Sequence, residues 1–406
     1  MMVRGMRVHL ARALLLLIAP EFAAAADDLP REVLLLARFK EKIRQNLEQI
    51  PNYTCLESVQ RSERGRRAHA FKPIDTLLLE VTSADNQELL AWPGARRFEE
   101  ADLSSFVSSG LIGDGLFSMH ARSIFVDNSS VIRYHGNEEI AGRPVARYDF
   151  QKNQAWSGYQ IRTSSGKAIV GTKGSFWFDP VALELVRIDV QADGIPLELG
   201  IEQALTRIDY ARMRIGASDI VLPQSAEMLL IHLSGDTMRD VLEFSHCHEY
   251  RSESAIHFDM PATLPASSAS QAREVDLPAG LTVSIILQTA IDSATAHVGD
   301  LLRGTVVRDA GQKGKPIIPK GATVTGRIRG LAPHALTIEL AEVEWTGARA
   351  EFYGELVRVE AGRPFVAPQI PGRGVLYMQD ERFHIPPGLR VTWRTLDPNQ
   401  PPRSAR

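Results

Sequence analysis

The chain has 406 residues, 44% hydrophobic and 23% charged, with a formal net charge of -3. That mix excludes a disordered or fibrous chain, and 46 basic against 49 acidic residues leave no net-basic surface for a nucleic-acid partner. No apolar run reaches the ~18 residues that a membrane-spanning helix needs.

Residues 1–26 read as a secretory signal peptide. Arg4, Arg7 and Arg12 supply the positive start, Ala13 to Ile18 the apolar stretch, and Ala24-Ala25-Ala26 a small-residue cleavage site before Asp27. An exported chain is expected, periplasmic or envelope-associated, with no transmembrane span once the signal is removed. In that compartment the two cysteines, Cys55 and Cys247, are a disulfide candidate. Such a bridge would close a long loop, worth on the order of 5 kcal/mol in the chain-entropy picture.

After the signal, Leu36, Phe39, Ile43, Leu47 and Ile50 recur at three- and four-residue spacing. They predict a helix between Pro30 and Pro51 with one apolar stripe that needs a sheet to lie on. Strand-like runs follow at Tyr53–Arg61 and Asp75–Thr82, separated by the basic turn Ser62-Glu-Arg-Gly-Arg-Arg67. The turn reads as a solvated hairpin or, alternatively, as a patch for an anionic partner. Asp102–His120 is apolar but broken by glycines and predicts a short helix plus loop. Further strands are expected at Ser130–Tyr134, Val145–Gln151, Tyr159–Thr163, Gly174–Ala192, Ile220–Leu233 and Arg239–Arg251, with Gly-, Asn- and Asp-bearing turns between them. One helix and a long antiparallel meander fill residues 27–259. The Ala/Ser/Pro-rich stretch at 260–273 reads as a linker. Residues 274–396 read as a second, small β-barrel, because a Pro-x-Gly turn followed by a strand recurs at Leu277–Val283, Ile318–Val324 and Ile385–Val391. Residues 397–406, Pro-rich and basic, are expected to be a disordered tail.

Chemistry-bearing patterns are sparse. His246-Cys247-His248 is the most metal-like cluster, but strand alternation places only the two histidines on one face, alongside Leu242 and Phe244. Two ligands fall short of a structural zinc site. Ser164-Ser-Gly-Lys167 has the Ser-x-x-Lys spacing of serine acylating enzymes but sits in a polar turn without partner motifs. Gly110–Gly115 lacks the Lys-Ser/Thr ending of a phosphate loop. Glu99-Glu100 and Glu138-Glu139 are neighbours that diverge, whichever element carries them. No catalytic residue, metal or cofactor is assigned. A helix-covered curved sheet, however, has a concave face, and concave apolar faces bind apolar ligands. Leu77, Leu79 and Val81 alternate toward one side, as do Phe176 and Phe178, and Leu242 and Phe244. Trp92 and Phe117 lie where a lid would form. These residues are the candidate ligand-binding set; the alternative is that they pack as plain core under the helix stripe.

The segment Gly174-Ser-Phe-Trp-Phe-Asp-Pro-Val-Ala-Leu-Glu-Leu-Val-Arg-Ile188 resembles the strand, Asp-Pro turn and strand of periplasmic lipoprotein-carrier and sigma-regulator half-barrels (LolA-, LolB- and RseB-like). Asn52-Tyr-Thr-Cys55, Ala91-Trp-Pro-Gly94 and Leu222-Pro-Gln-Ser225 are similar to exported proteins common in acidobacterial genomes. Leu277-Pro-Ala-Gly280, Gly299-Asp300 and Ile318-Pro-Lys-Gly321 resemble the C-terminal barrel of TrbI-type conjugation proteins. These resemblances imply a mainly β protein in which an N-terminal helix packs on a curved antiparallel half-barrel, followed by a small barrel. The function expected of such an architecture with a concave apolar face is non-enzymatic. A lipid or lipoprotein would bind in the half-barrel, and another envelope protein would dock through residues 274–396. The alternative is a structural or secretion-system scaffold acting through protein contacts alone.

Overall fold

The computed structural model describes residues 29–84, 87–95, 106, 119–249, 273–312, 314–360 and 370–398. Helix α1 (Arg31–Gln49) follows the predicted stripe, burying Phe39, Ile43 and Leu47. Its outer face is tied by Arg44, which bridges Glu41 and Glu48. The helix stops at Ile50, which is extended, as a residue before proline prefers to be.

Twelve strands follow. They are β1 (Tyr53–Arg64), β2 (Lys72–Ala84), β3 (Gln87–Ala91), β4 (Val131–Ile140), β5 (Arg143–Lys152), β6 (Gln160–Thr163), β7 (Gly166–Ile169), β8 (Gly171–Asp179), β9 (Glu184–Asp193), β10 (Ile201–Ile215), β11 (Ser218–His232) and β12 (Thr237–Glu249). Two short helices interrupt them, α2 (Met119–Phe125) and α3 (Gln154–Ser157). Ten of the strands form one sheet in the order β3-β2-β1-β12-β11-β10-β9-β8-β5-β4, while β6 and β7 pair apart as a small hairpin. The chain thus builds an antiparallel meander whose first and last strands, β1 and β12, meet in the middle of the sheet. The Asp-Pro turn between β8 and β9 is held by Asp179, whose carboxylate accepts from the amides of Val181 and Ala182. The outer face of the sheet carries cross-strand ion pairs such as Arg207–Asp189 and Arg187–Asp209.

Nine strands among the described residues between Arg273 and Thr395 form a second, mostly antiparallel sheet. It curls back on itself, so that Gly374, paired to the Ala335–Trp345 strand, lies against Leu356 of the Gly354–Glu360 strand. The three Pro-x-Gly turns act alike. Gly280, Gly321 and Gly388 all take positive φ, of 84°, 87° and 107°, and a strand begins two residues later. The protein is therefore mainly β, with an N-terminal helix on a curled half-barrel, followed in the chain by a small barrel. The predicted linker, 260–273, lies outside the described residues except for Arg273.

Strand β10, at 15 residues as long as its neighbour β11, was not expected. Its sequence (Ile-Glu-Gln-Ala-Leu-Thr-Arg-Ile-Asp-Tyr-Ala-Arg-Met-Arg-Ile) is rich in helix formers, and Ile201, Ala204 and Ile208 fall at helical spacing. Pairing with β9 on one side and β11 on the other overrides that propensity.

Candidate functional site

The inner face of the half-barrel begins with strand alternation. Leu77, Leu79 and Val81 of β2, Phe176 and Phe178 of β8, and Leu242 and Phe244 of β12 all point inward and are buried. The helices lie over this face. Phe39 of α1 stacks on Phe178 at 3.9 Å between ring centroids and meets Phe125 of α2 edge-on at 5.2 Å. Tyr148 of β5 completes the aromatic layer, 5.6 Å from both Phe176 and Phe178. Trp92, half-buried, packs at a tilt against Phe106, with 4.9 Å between ring centroids, and sits at the junction with the second sheet. Phe117 lies outside the described residues, as do Gly110–Gly115 and Glu99-Glu100.

The cover is fastened by polar contacts. The Tyr148 hydroxyl donates to the Glu32 carbonyl at 2.7 Å, and Arg122 of α2 donates to the Leu47 carbonyl at 2.9 Å. Lys152, buried at the end of β5, donates to the Ser123 carbonyl and to the Asp127 carboxylate. A crevice of about 20 Å³ remains between the end of α1, α2 and strands β9–β11, lined by Ile43, Leu47, Leu185, Tyr210 and Leu222. That volume suits about one water, not an acyl chain. The Tyr210 hydroxyl in it is buried with no hydrogen-bond partner among the described residues. Burial pushes its pKa up.

At the far end of β1 the inner face turns polar. Arg61 grips Asp75 with two hydrogen bonds, of 2.7 and 2.6 Å, and Asp240 stands opposite Arg61 in register on β12. One Asp240 carboxylate oxygen has no partner among the described residues. Burial raises the Asp240 pKa to about 7, with Arg61 opposing the shift and Asp75 adding to it. Two pairs inward on the same strand, Glu57 is buried and driven well above the usual carboxylate range by burial, then by Glu88 and Asp240. On α2 itself, burial lowers the His120 pKa to about 4. This polar end was missed in the sequence reading. Its signal was available: Glu57 and Arg61 occupy inward positions of an alternating strand, where apolar residues belong.

The cysteines pair as expected, Cys55 with Cys247. The placement of the neighbouring histidines is corrected. His246 adopts a φ of 50°, and the β1–β12 register slips between Thr54 and Leu56, a β-bulge that reverses the alternation. His246 and His248 therefore face outward, exposed, while Leu242 and Phe244 face inward and Cys247 turns to Cys55. Glu138 does not share a site with Glu139: it accepts from the Trp177 indole at 2.7 Å and from Arg147 at 3.0 Å. Ser164 and Lys167 flank the exposed β6–β7 turn.

No protein-family model matches the chain, and no curated protein matches it. Solved structures with some likeness include a domain ascribed to outer membrane lipoprotein sorting from Vibrio parahaemolyticus. It is 10% identical with a TM-score of 0.27, and the match covers 55% of this chain and 95% of that one. A DUF1329 family protein from Desulfovibrio piger is 11% identical, with a TM-score of 0.27 and coverage of 53% and 92%. A LolA superfamily protein from Nitrosomonas europaea is 12% identical, with a TM-score of 0.26 and coverage of 56% and 94%. Likeness at this level transfers no residue role to this chain.

Proposed function

We propose that the protein is a non-enzymatic component of the cell envelope whose half-barrel takes up the acyl chain of a lipid or lipidated partner against its inner face. Helices α1 and α2 would serve as the movable cover, and residues 274–396 would dock another envelope component. The observation that carries this reading is the inner face itself. A continuous aromatic and aliphatic surface is closed by one amphipathic helix and one short helix, each fastened by a few polar contacts, and it ends in the buried Arg61–Asp75–Asp240 group. An amphiphile needs such a face, apolar along its length and polar at one end. The Cys55–Cys247 bridge fits an oxidising, extracytoplasmic compartment.

The filled state of the inner face favours the second reading, a scaffold that works through protein contacts alone. Native mass spectrometry of the gently purified chain, with titration of the fluorescent fatty acid cis-parinaric acid, separates the two. The carrier reading expects a lipid-sized mass lost on denaturation, and parinaric acid uptake weakened roughly tenfold when Val221→Trp plugs the crevice. A bare chain that takes up no probe, or uptake indifferent to the plug, would leave the scaffold.

A further inference from the structure

The turns at one end of the half-barrel form a continuous rim with an unusual surface. Its members are the β1–β2 turn, the 153–171 segment holding α3 and the β6–β7 hairpin, the β9–β10 turn and the β11–β12 turn. They touch in sequence around the rim. Gln154 donates to the Ile169 carbonyl, and Gly166 lies against Leu199. The Leu233 amide donates to the Gly200 carbonyl, and Gly235 lies against the Arg66 side chain, whose backbone amide donates to Asp236.

Large apolar side chains project from this rim into solvent. Leu197 is 73% exposed, Trp156 70%, Leu233 50% and Ile169 46%. Such tips are costly in water and are not covered by any described part of the chain. Between and beside them stand cations: Arg64, Arg66, Arg67 and Lys72 on the β1–β2 turn, and Arg162 and Lys167 on the hairpin. The 153–171 segment contains no acidic residue at all, and against these six cations the rim sets four acids, Glu63, Glu198, Asp236 and Asp193, the last already paired with Lys173. A chain of net charge -3 has thus gathered a net positive end.

We propose that this rim is a docking surface for an anionic lipid bilayer. Trp156, Leu197, Leu233 and Ile169 insert at the headgroup level, and the arginines and lysines meet lipid phosphates. A tryptophan tip suits the bilayer interface, where its ring is half apolar and its indole N–H stays wet. Apolar contact and electrostatic attraction act together in such interfacial binding, and each cation near an anionic surface strengthens it several-fold. The inference is independent of whether the inner face carries a lipid.

The test is co-sedimentation of the chain from Asp27 with phosphatidylglycerol/phosphatidylcholine vesicles and with pure phosphatidylcholine vesicles. Binding is expected to the first, weakened by salt, and little to the second. The pairs Trp156→Ser/Leu197→Ser and Arg66→Glu/Arg67→Glu should each lower partitioning roughly tenfold or more. All four side chains are exposed, so the fold should survive, and circular dichroism checks that it does. Val181→Ser removes a still more exposed apolar tip from the β8–β9 turn at the opposite end, and should leave partitioning unchanged. The proposal is overturned if the unmodified chain does not sediment with anionic vesicles, if either rim pair binds as well as the unmodified chain, or if Val181→Ser costs as much as the rim variants.

Discussion

Asp240 and His120 set two opposing pH dependences inside one core. Burial raises the Asp240 pKa from 3.8 to about 7, so the folded state holds that proton more tightly than the unfolded chain does. Stability is then lost as pH rises through the interval between those values, and the full penalty, at most on the order of 4 kcal/mol, applies above it. Glu57, displaced in the same direction, adds to this slope. His120 works the other way. Its pKa is lowered from 6.5 to about 4, so its contribution is complete above 6.5 and is lost as pH falls toward 4. Asp240→Asn removes the first slope and leaves Arg61 its partner Asp75. It should raise the melting temperature by several degrees at about pH 8 and change little at about pH 4. His120→Gln should do the converse, protecting the fold at about pH 4.5 with little effect at about pH 8. Thermal scans across this range check both, and parallel displacement of either variant at all pH values would show that burial is not what moves these groups.

At the scale of elements, the sheet is closed through β1 and β12, and the Cys55–Cys247 bridge joins those two strands across a sequence separation of 192. Ladder hydrogen bonds already hold the pair, so the bridge acts largely on the unfolded chain. Cys55→Ser/Cys247→Ser should lower stability by about 2–5 kcal/mol, read as a shift of the urea midpoint that reducing agent reproduces in the unmodified protein. A midpoint indifferent to both would mean that the ladder alone closes the sheet. The same region shows how far the sequence reading reaches. Helix α1, the alternating strands β1, β2, β8 and β12, the inward burial of Leu77, Leu79, Val81, Phe176, Phe178, Leu242 and Phe244 and the cysteine pair are all legible, because each is a local period or a count. The outward histidines are not, because a single residue of positive φ at His246 reverses the alternation beyond it. Nor is β10, where neighbouring strands decide against local propensity. The polar end of the inner face is assembled from β1, β2 and β12, and only the pairing of those strands shows that Arg61, Asp75 and Asp240 meet.

The largest-scale feature is the junction between the two sheets. Strand β3 pairs with β2 only over Glu80–Ala84, which leaves the outer edge of β2 open before it. Val298, from the loop before the Leu301–Val306 strand, fills that opening. It donates to the Thr76 carbonyl and accepts from the Leu78 amide, both at 2.8 Å. An exposed β edge is a template for unwanted pairing, and here the second sheet covers it. The next residue, Gly299, lets the loop approach so closely: a Cβ there would lie 2.5 Å from the Leu78 carbonyl oxygen and 2.7 Å from the Trp92 ring. Arg329 of the second sheet lies over that same ring, its guanidinium 4.7 Å from the centroid, and Phe106 packs beside it. The core of the half-barrel and that of the small barrel are continuous through this contact. The junction therefore behaves as a clasp whose backbone is as important as its side chains. Val298→Pro deletes the amide that reaches Thr76, and Gly299→Ala inserts a methyl where there is no room. Either should speed hydrogen exchange at the Leu78 amide by roughly tenfold or more, the loss of a hydrogen bond of about 1 kcal/mol together with the strain around it. Exchange at Val59, paired on both sides within the half-barrel, should be unaltered. If Val59 accelerates equally, the two sheets unfold as one cooperative unit. If Leu78 does not respond, the side-chain layer of Trp92, Phe106 and Arg329 holds the sheets together without the backbone clasp.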